Sequence, residues 1–247
     1  MTDAVLEVRG LARAFGETRA VTACSFQAAA GTVHSILGEN GSGKSTIVKI
    51  LSGVLAPDAG TIALAGQPFT RFTPAAARRS GVTTVFQELL NVPSRSVVDN
   101  VLMGEPGWFR HRLSGRQRAE GARRHLGRLG LADLDLDLQV GGLPLSVQQL
   151  VAIARSLACE PKVLILDEAT SALDVEARDL LFTALRDELT RGTLVLYISH
   201  RMEEIVHLAH AVTVLHSGAT VTSVDGADIN EANLLHLMVK ASATAYD

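Results

Sequence analysis

The chain has 247 residues, 47% hydrophobic and 20% charged, which is enough to bury a large core and too apolar for extended disorder. A formal net charge of −3 gives no electrostatic reason to expect binding to nucleic acid or to an anionic membrane surface. Cys24 and Cys159 are too few for a disulfide framework and point to a reducing, cytoplasmic compartment, and no apolar run approaches the roughly 20 residues that cross a bilayer.

The opening residues, from Met1 to Glu7, lack the basic-then-apolar layout of a signal peptide, so any membrane is expected to be reached through a partner. Short strands broken by turns are expected at 6–8 and 22–26, followed by an uninterrupted apolar run at 33–37. Residues 44–51 have helical spacing, with Ile47, Ile50 and Leu51 on one face and Ser52-Gly53 as the stop. Pro57-Asp58-Ala59-Gly60 is a turn, 61–64 before Ala65-Gly66 reads as a hairpin, and 82–86 is a further β run.

From about Glu88 to Glu160 the β-like runs vanish and Arg, Ala and Leu dominate. The pattern predicts a helical insertion in which Ala119, Ala122, Leu126 and Leu129 share a face. The β/α alternation then resumes with strands at 163–166, 194–198 and 211–215 and helices around 176–189, 203–209 and 231–239. Residues 241–247 are expected to fray. An α/β fold follows: one domain over 1–247, with 1–87 and 161–247 as its β-rich core and 88–160 as the insertion.

Four of the β runs end on polar residues, and in an open α/β sheet ligands collect at the carboxyl ends of parallel strands. The first enters Gly38-Glu39-Asn40-Gly41-Ser42-Gly43-Lys44-Ser45-Thr46, a phosphate-binding loop of the pattern Gly-x-x-x-x-Gly-Lys-Ser. Its glycines let successive backbone N–H groups curl round an anion, and the following helix adds its positive end. Lys44 is suited to bridge β- and γ-phosphate oxygens, and the Ser45 hydroxyl to ligate magnesium.

The run at 163–166 is apolar without alternation, as in a central parallel strand, and ends on Asp167 and Glu168. Asp167 suits a water-mediated magnesium contact, and Glu168 suits polarisation of an attacking water. Gln87, after the run at 82–86, is assigned to sensing magnesium and that water. His200, after the run at 194–198, is assigned a hydrogen bond to the γ-phosphate and an anchor on Glu168. Taken singly, Gln87 and His200 are ordinary loop residues; their order along the chain gives them weight. Phe15, in Ala14-Phe15-Gly16, is a candidate to stack on adenine, and a plain core position is the other reading. The chemistry assigned to these residues is magnesium-dependent binding and hydrolysis of ATP.

Over essentially its whole length the chain resembles an ATP-binding cassette (ABC) ATPase. Gly38 to Thr46 is similar to the family's Walker A, and Val163-Leu164-Ile165-Leu166-Asp167-Glu168 to its Walker B with the catalytic Glu. Ser171-Ala172-Leu173-Asp174 resembles the D-loop and His200 the switch histidine. Phe86-Gln87-Glu88-Leu89, Ile198-Ser199-His200-Arg201-Met202-Glu203-Glu204-Ile205 and Leu237-Met238-Val239 resemble the carbohydrate-uptake branch, and the match is to the first half of its usual tandem. The resemblance implies a P-loop NTPase (RecA-like) core, an N-terminal antiparallel β subdomain and an inserted α-helical subdomain. It also implies a peripheral location at the cytoplasmic face of the cell membrane. The implied partners are a second cassette in a homo- or heterodimer, an integral membrane permease and, indirectly, an extracytoplasmic solute-binding protein. A sugar or sugar-like solute is the implied cargo. The alternatives are a soluble ABC ATPase of DNA repair or translation, and a weakly hydrolysing regulatory cassette.

In the family each ATP also meets the partner's signature, Leu-Ser-Gly-Gly-Gln, at the start of a helix. Here the ungapped register puts Leu143-Pro144-Leu145-Ser146-Val147 on it, so Pro144 replaces the Ser and Val147 the Gln. The other register, Leu145-Ser146-Val147-Gln148-Gln149, needs a two-residue deletion beside it. The ungapped one keeps both flanks and is preferred, which predicts slow turnover for the chain alone. The arginines at 110, 112, 116, 118, 123, 124 and 128 read first as a solvated helix face, with contact to lipid headgroups or an acidic permease loop as the functional reading. Without interleaved aromatic residues they do not suggest nucleic acid. Residues 133–138 alternate like a strand but are assigned as a connecting segment.

Overall fold

The computed structural model describes residues 4–105 and 113–243; Arg110 and Arg112, the first three residues and the last four lie outside them. The chain opens with β1 (Ala4–Phe15) and β2 (Thr18–Ala29), an antiparallel pair in register from Ala4 with Ala29 to Phe15 with Thr18. Both are longer than the sequence predicts, because the strands run on through bulges instead of stopping at turns. Gly10 supplies the positive φ of 56° that one such irregularity needs. β3 (Val33–Gly38) feeds α1 (Lys44–Leu51), and β4 (Ala59–Leu64) with β5 (Gln67–Pro68) forms the expected hairpin against β1.

A short α2 (Pro74–Arg79), not foreseen, is started by Pro74 and by Thr73, whose hydroxyl accepts a hydrogen bond from the Ala76 N–H. After β6 (Val82–Val85) come α3 (Val97–Leu102), α4 (Gly115–Gly127) and α5 (Leu145–Leu157). The remainder alternates β7 (Val163–Asp167), α6 (Val175–Thr190), β8 (Leu194–Ile198), α7 (Met202–Leu208), β9 (Ala211–His216), an unforeseen β10 (Ala219–Asp225) and α8 (Glu231–Ala243).

The strands form one sheet in the order β5-β4-β1-β2-β10-β9-β3-β8-β7-β6. From β9 to β6 it is parallel, and from β5 to β2 antiparallel. The two parts meet at β10, which pairs antiparallel with β9 but touches β2 through one parallel pair, Ala219 with Ala23. Beyond that pair the Thr220 hydroxyl takes over, accepting from the Ser25 N–H and donating to the Ser25 carbonyl, each at 3.0 Å.

The continuous apolar run of β7 is explained by burial on both faces. Leu164 and Leu166 pack with Val97, Val101, Leu126 and Leu150 of the helices inserted between β6 and β7, while Val163 and Ile165 pack with Ile47 and Ile50 of α1 and Leu6 and Leu11 of β1. In α4, Ala122 and Leu126 are fully buried, as is Leu129 just beyond it, and Ala119 is half-buried. Fully buried Asn100 fixes the approach to α3: its Oδ1 accepts from the Val92 N–H at 2.8 Å and its Nδ2 donates to the carbonyls of Val92 and Ser96. Residues 133–138 form turns, whose Leu136 and Leu138 carbonyls accept from the first N–H groups of α3. Arg128 pairs with buried Glu188 of α6, tying the inserted helices to the layer beside them.

Candidate nucleotide site

The carboxyl ends of β3, β6, β7 and β8 converge on a cleft of about 740 Å³. Its lining brings together Asn40, Gly41, Gly43, Lys44, Ser45 and Thr46 of the loop after β3 with Gln87, Asp167, Glu168 and His200. Residues spread over 160 positions of the chain thus share one cavity because parallel strands deliver their ends to the same edge. Thr18, Arg19 and Ala20 complete the rim. No motif announces these three; the available signal was the turn at Gly16, which returns β2 alongside the loop.

The loop is shaped by what surrounds it. Gly43 has φ +101°, and a Cβ there would lie 2.5 Å from the Ala20 carbonyl oxygen; a Cβ on Gly38 would strike Leu215 O and Ser42 Oγ. The loop then delivers Lys44 at the N-terminus of α1, with Gly43 as the cap. Lys44 Nζ donates to the carbonyls of Gly38 at 2.6 Å and Glu39 at 2.9 Å. Ser42 is buried beneath the loop, with no hydrogen-bond partner for its hydroxyl. Gly38, Glu39 and Ser42 therefore support the cleft without lining it.

Phe15 lies outside the lining. It ends β1 opposite Thr18, is 45% exposed and carries the Arg13 guanidinium 5.1 Å above its ring. Its position at the open tip of the hairpin, not in the core, leaves it on the outer margin of the cleft.

Charge is arranged across the cleft. Burial lowers the Lys44 pKa, an effect that Glu168 and Asp167 oppose. Burial and the neighbouring Glu168 raise the Asp167 carboxyl above its ordinary range, while Lys44 pulls it back. Glu168 has a left-handed backbone, φ +52°, which costs a non-glycine residue about 1–2 kcal/mol. It is held there by a 2.9 Å bond from its N–H to the Ile198 carbonyl. Its Oε2 lies 2.6 Å from His200 Nδ1. A strained carboxylate locked to an imidazole, facing a buried ammonium, is equipped to orient and polarise a water beside a phosphate.

The oxygen donors fit magnesium. The Ser45 hydroxyl, the Gln87 amide and the Asp167 carboxylate all line the cleft, a set of hard ligands with one carboxylate that leaves positions for phosphate oxygens and water. Among the described residues there is no cluster of three or more His, Cys, Asp or Glu that would suit a transition metal instead.

Away from the cleft, α5 begins at Leu145 with Pro144 as its N-cap and no side-chain cap bond. Asp174 caps α6, accepting from the Ala177 N–H at 2.8 Å.

The family model for ABC transporters matches residues 21–171, a stretch that contains the loop, Gln87, Asp167 and Glu168. The chain belongs to the ABC transporter family. This ABC cassette is 39% identical over 235 residues to ribose import ATP-binding protein RbsA 1 of Mesorhizobium japonicum, covering 95% of the chain and 46% of that protein. It is 37% identical over 238 residues to a putative ribose/galactose/methyl galactoside import ATP-binding protein of Agrobacterium fabrum, covering 96% and 48%. The cassette thus spans about half the length of the curated relatives it matches. Among solved structures it superposes on a nucleotide-free ATP-binding cassette from an ABC transporter with a TM-score of 0.85 over 97% of this chain and 99% of that one, a likeness of fold at 24% identity. CbiO1 from Clostridium perfringens, part of the ABC transporter complex cbiONQ, superposes with a TM-score of 0.79 at 26% identity, over 98% and 99%. The P-loop NTPase fold is therefore that of an ABC ATPase cassette. No helix among the described residues is long and apolar enough to cross a membrane.

Proposed function

We propose that this cassette binds ATP with magnesium in the cleft, hydrolyses it, and works as the energy-coupling subunit of an importer for a sugar or sugar-like solute. The observation that carries the reading is the Glu168–His200 pair, 2.6 Å apart in the cavity that also holds Lys44. Lys44 releases its loop carbonyls to engage the β- and γ-phosphates. Glu168 takes the proton of the attacking water or orients it, while His200 fixes the carboxylate and reaches the γ-phosphate. Ser45, Asp167 and Gln87 would hold magnesium, which would supply charge neutralisation on the phosphates. The names of the relatives support a sugar as cargo.

The partners follow from the same reading: a second cassette, a membrane permease at the cytoplasmic face and, through it, an extracytoplasmic solute-binding protein. A groove of about 400 Å³ beside Gln87, lined by Val54, Phe86, Leu90, Met103 and Arg155, is proposed to receive a permease helix. Val54 and Leu90 are largely exposed there. Pro144 at the start of α5 favours a second reading alongside the first, in which the cassette turns over slowly by itself and depends on another cassette's signature.

Glu168→Gln tests the reading. The variant is expected to bind ATP with unchanged affinity and to lose phosphate release by at least about a hundredfold. Undiminished hydrolysis would remove Glu168 from its role. Isolation of the native complex is expected to bring down a membrane permease; ribosomes or DNA in its place would overturn the transport assignment.

A further inference from the structure

Behind the Glu168–His200 pair lies a second carboxylate that touches neither nucleotide-facing side chain. Glu204, in the first turn of α7, is almost wholly buried. Its Oε2 accepts three hydroxyl hydrogen bonds: from Thr170 at 2.8 Å, from Ser199 at 3.0 Å and from Tyr197 at 2.6 Å. Its Oε1 accepts from Arg201 at 3.2 Å. Thr170 sits two residues after Glu168 and Ser199 immediately before His200, and both are buried. Ser199 Oγ also accepts from the Arg201 N–H at 3.0 Å, tightening the turn that carries His200. One carboxylate oxygen thus gathers the loop after β7 and the loop after β8.

We propose that Glu204 is the positioning residue of the hydrolytic site, setting the separation of Glu168 and His200 by holding the loops that carry them. The inference rests on the ATPase reading above. A buried anion with several donors is expensive unless every bond is made, so the arrangement tolerates little slack. Burial pushes the Glu204 carboxyl up, but the hydroxyls of Tyr197, Thr170 and Ser199 and the charge of Arg201 outweigh it and hold the group below its ordinary pKa, keeping it an acceptor. The strained φ of Glu168 is a conformation that neighbours must enforce, and this network is anchored two residues away.

The donors allow the role to be separated from simple stabilisation. Thr170→Val and Ser199→Ala each remove one loop's hydroxyl from Glu204, the Arg201 bond staying in place, whereas Tyr197→Phe removes the shortest bond, from the interior of β8, and with it only a 3.4 Å contact to the Thr170 hydroxyl, leaving both loops bonded to Glu204. In the full-length chain under single-turnover conditions with ATP and magnesium, T170V and S199A are expected to slow hydrolysis about ten- to a hundredfold with unchanged ATP affinity. Y197F is expected to lower the melting temperature while changing the rate by less than about twofold. In a His200→Ala background, S199A is expected to add no further loss, the signature of acting through His200. Crystal structures of T170V and S199A should show the Glu168–His200 hydrogen bond broken. Rate losses that merely track melting temperature across the three variants, or weakened ATP binding, would overturn the proposal. If E168Q hydrolyses ATP normally, it is the ATPase reading that falls; if E168Q is dead while T170V and S199A are fully active, only the positioning role falls.

Discussion

Pro144→Ser is expected to leave stability nearly unchanged and to raise turnover. Pro144 has φ −53° and ψ 147°, close to the serine N-caps of α3 (φ −66°, ψ 163°) and α4 (φ −64°, ψ 158°). Those serines accept from the backbone N–H three residues on, each at 3.3 Å, so a serine at 144 is already placed to accept from Val147. A new cap contributes about 1 kcal/mol. Loss of the proline's restriction on the unfolded chain costs about 0.4–1 kcal/mol. The two nearly cancel, and the melting temperature should shift by no more than about 4 °C.

Catalysis gains more. If α5 faces the γ-phosphate of a partner cassette, the substitution adds a hydroxyl and a backbone N–H where neither exists. One such donor is worth about 2.7–4 kcal/mol when fully engaged. Leu145, 62% exposed in the first turn, would stand between the backbone and such a phosphate, so a smaller gain of about tenfold is expected. The assay is phosphate release by the purified chain at saturating ATP, with E168Q as the zero. Unchanged turnover in a variant that melts like the parent would refute the placement of Pro144 on the signature.

The remaining expectations concern stability. His34 is buried, stacked on Phe26 at 5.1 Å and bonded to Thr213 at 2.8 Å, and burial lowers its pKa from 6.5 to about 4. The unfolded chain takes up this proton first, so stability is complete above pH 6.5 and falls by about 3 kcal/mol as pH drops to 4. His34→Gln should flatten that acid limb in urea titrations, and an unaltered pH dependence would contradict it. Asn100→Ala strands the Val92 N–H, while the Val92 and Ser96 carbonyls keep the backbone N–H groups of Arg95 and Asn100, and it should cost about 1–3 kcal/mol in chemical denaturation; a loss under about 0.5 kcal/mol would show that water or the loop replaces the side chain.

What could be read from the sequence was what burial or chemistry forces locally. β3 and β7 are covered on both faces, so their apolar runs are unbroken, and α1 begins where a glycine and a lysine have no other use. The hidden elements obey weaker signals. β1 and β2 pass through bulges that read as turns, β10 is half-exposed Thr, Ser and Val, and α2 is a six-residue helix too short to show a period. Within the site, the residues proposed to contact phosphate or metal announce themselves by type and spacing. Glu204, Asn100 and the Thr18–Ala20 rim do not, because their roles exist only once distant segments meet. The spacing of Phe15 leaves adenine stacking and a core position both open, and its exposure at the cleft's outer margin removes the core reading.

The join between the two parts of the sheet has a further consequence. β2 carries the rim at Thr18, Arg19 and Ala20, while the rest of the cleft grows from the parallel strands across a narrow seam: the Thr22 and Ala23 N–H groups on the Gly218 carbonyl, one strand pair and the hydroxyls of Thr22 and Thr220. Any occupant of the cleft therefore rivets the sheet along its thinnest stitching. Deuterium uptake at the amides of Thr22, Ala23 and Ser25 should slow on nucleotide addition, so that a line of weakness in the scaffold doubles as a gauge of whether the cleft is filled.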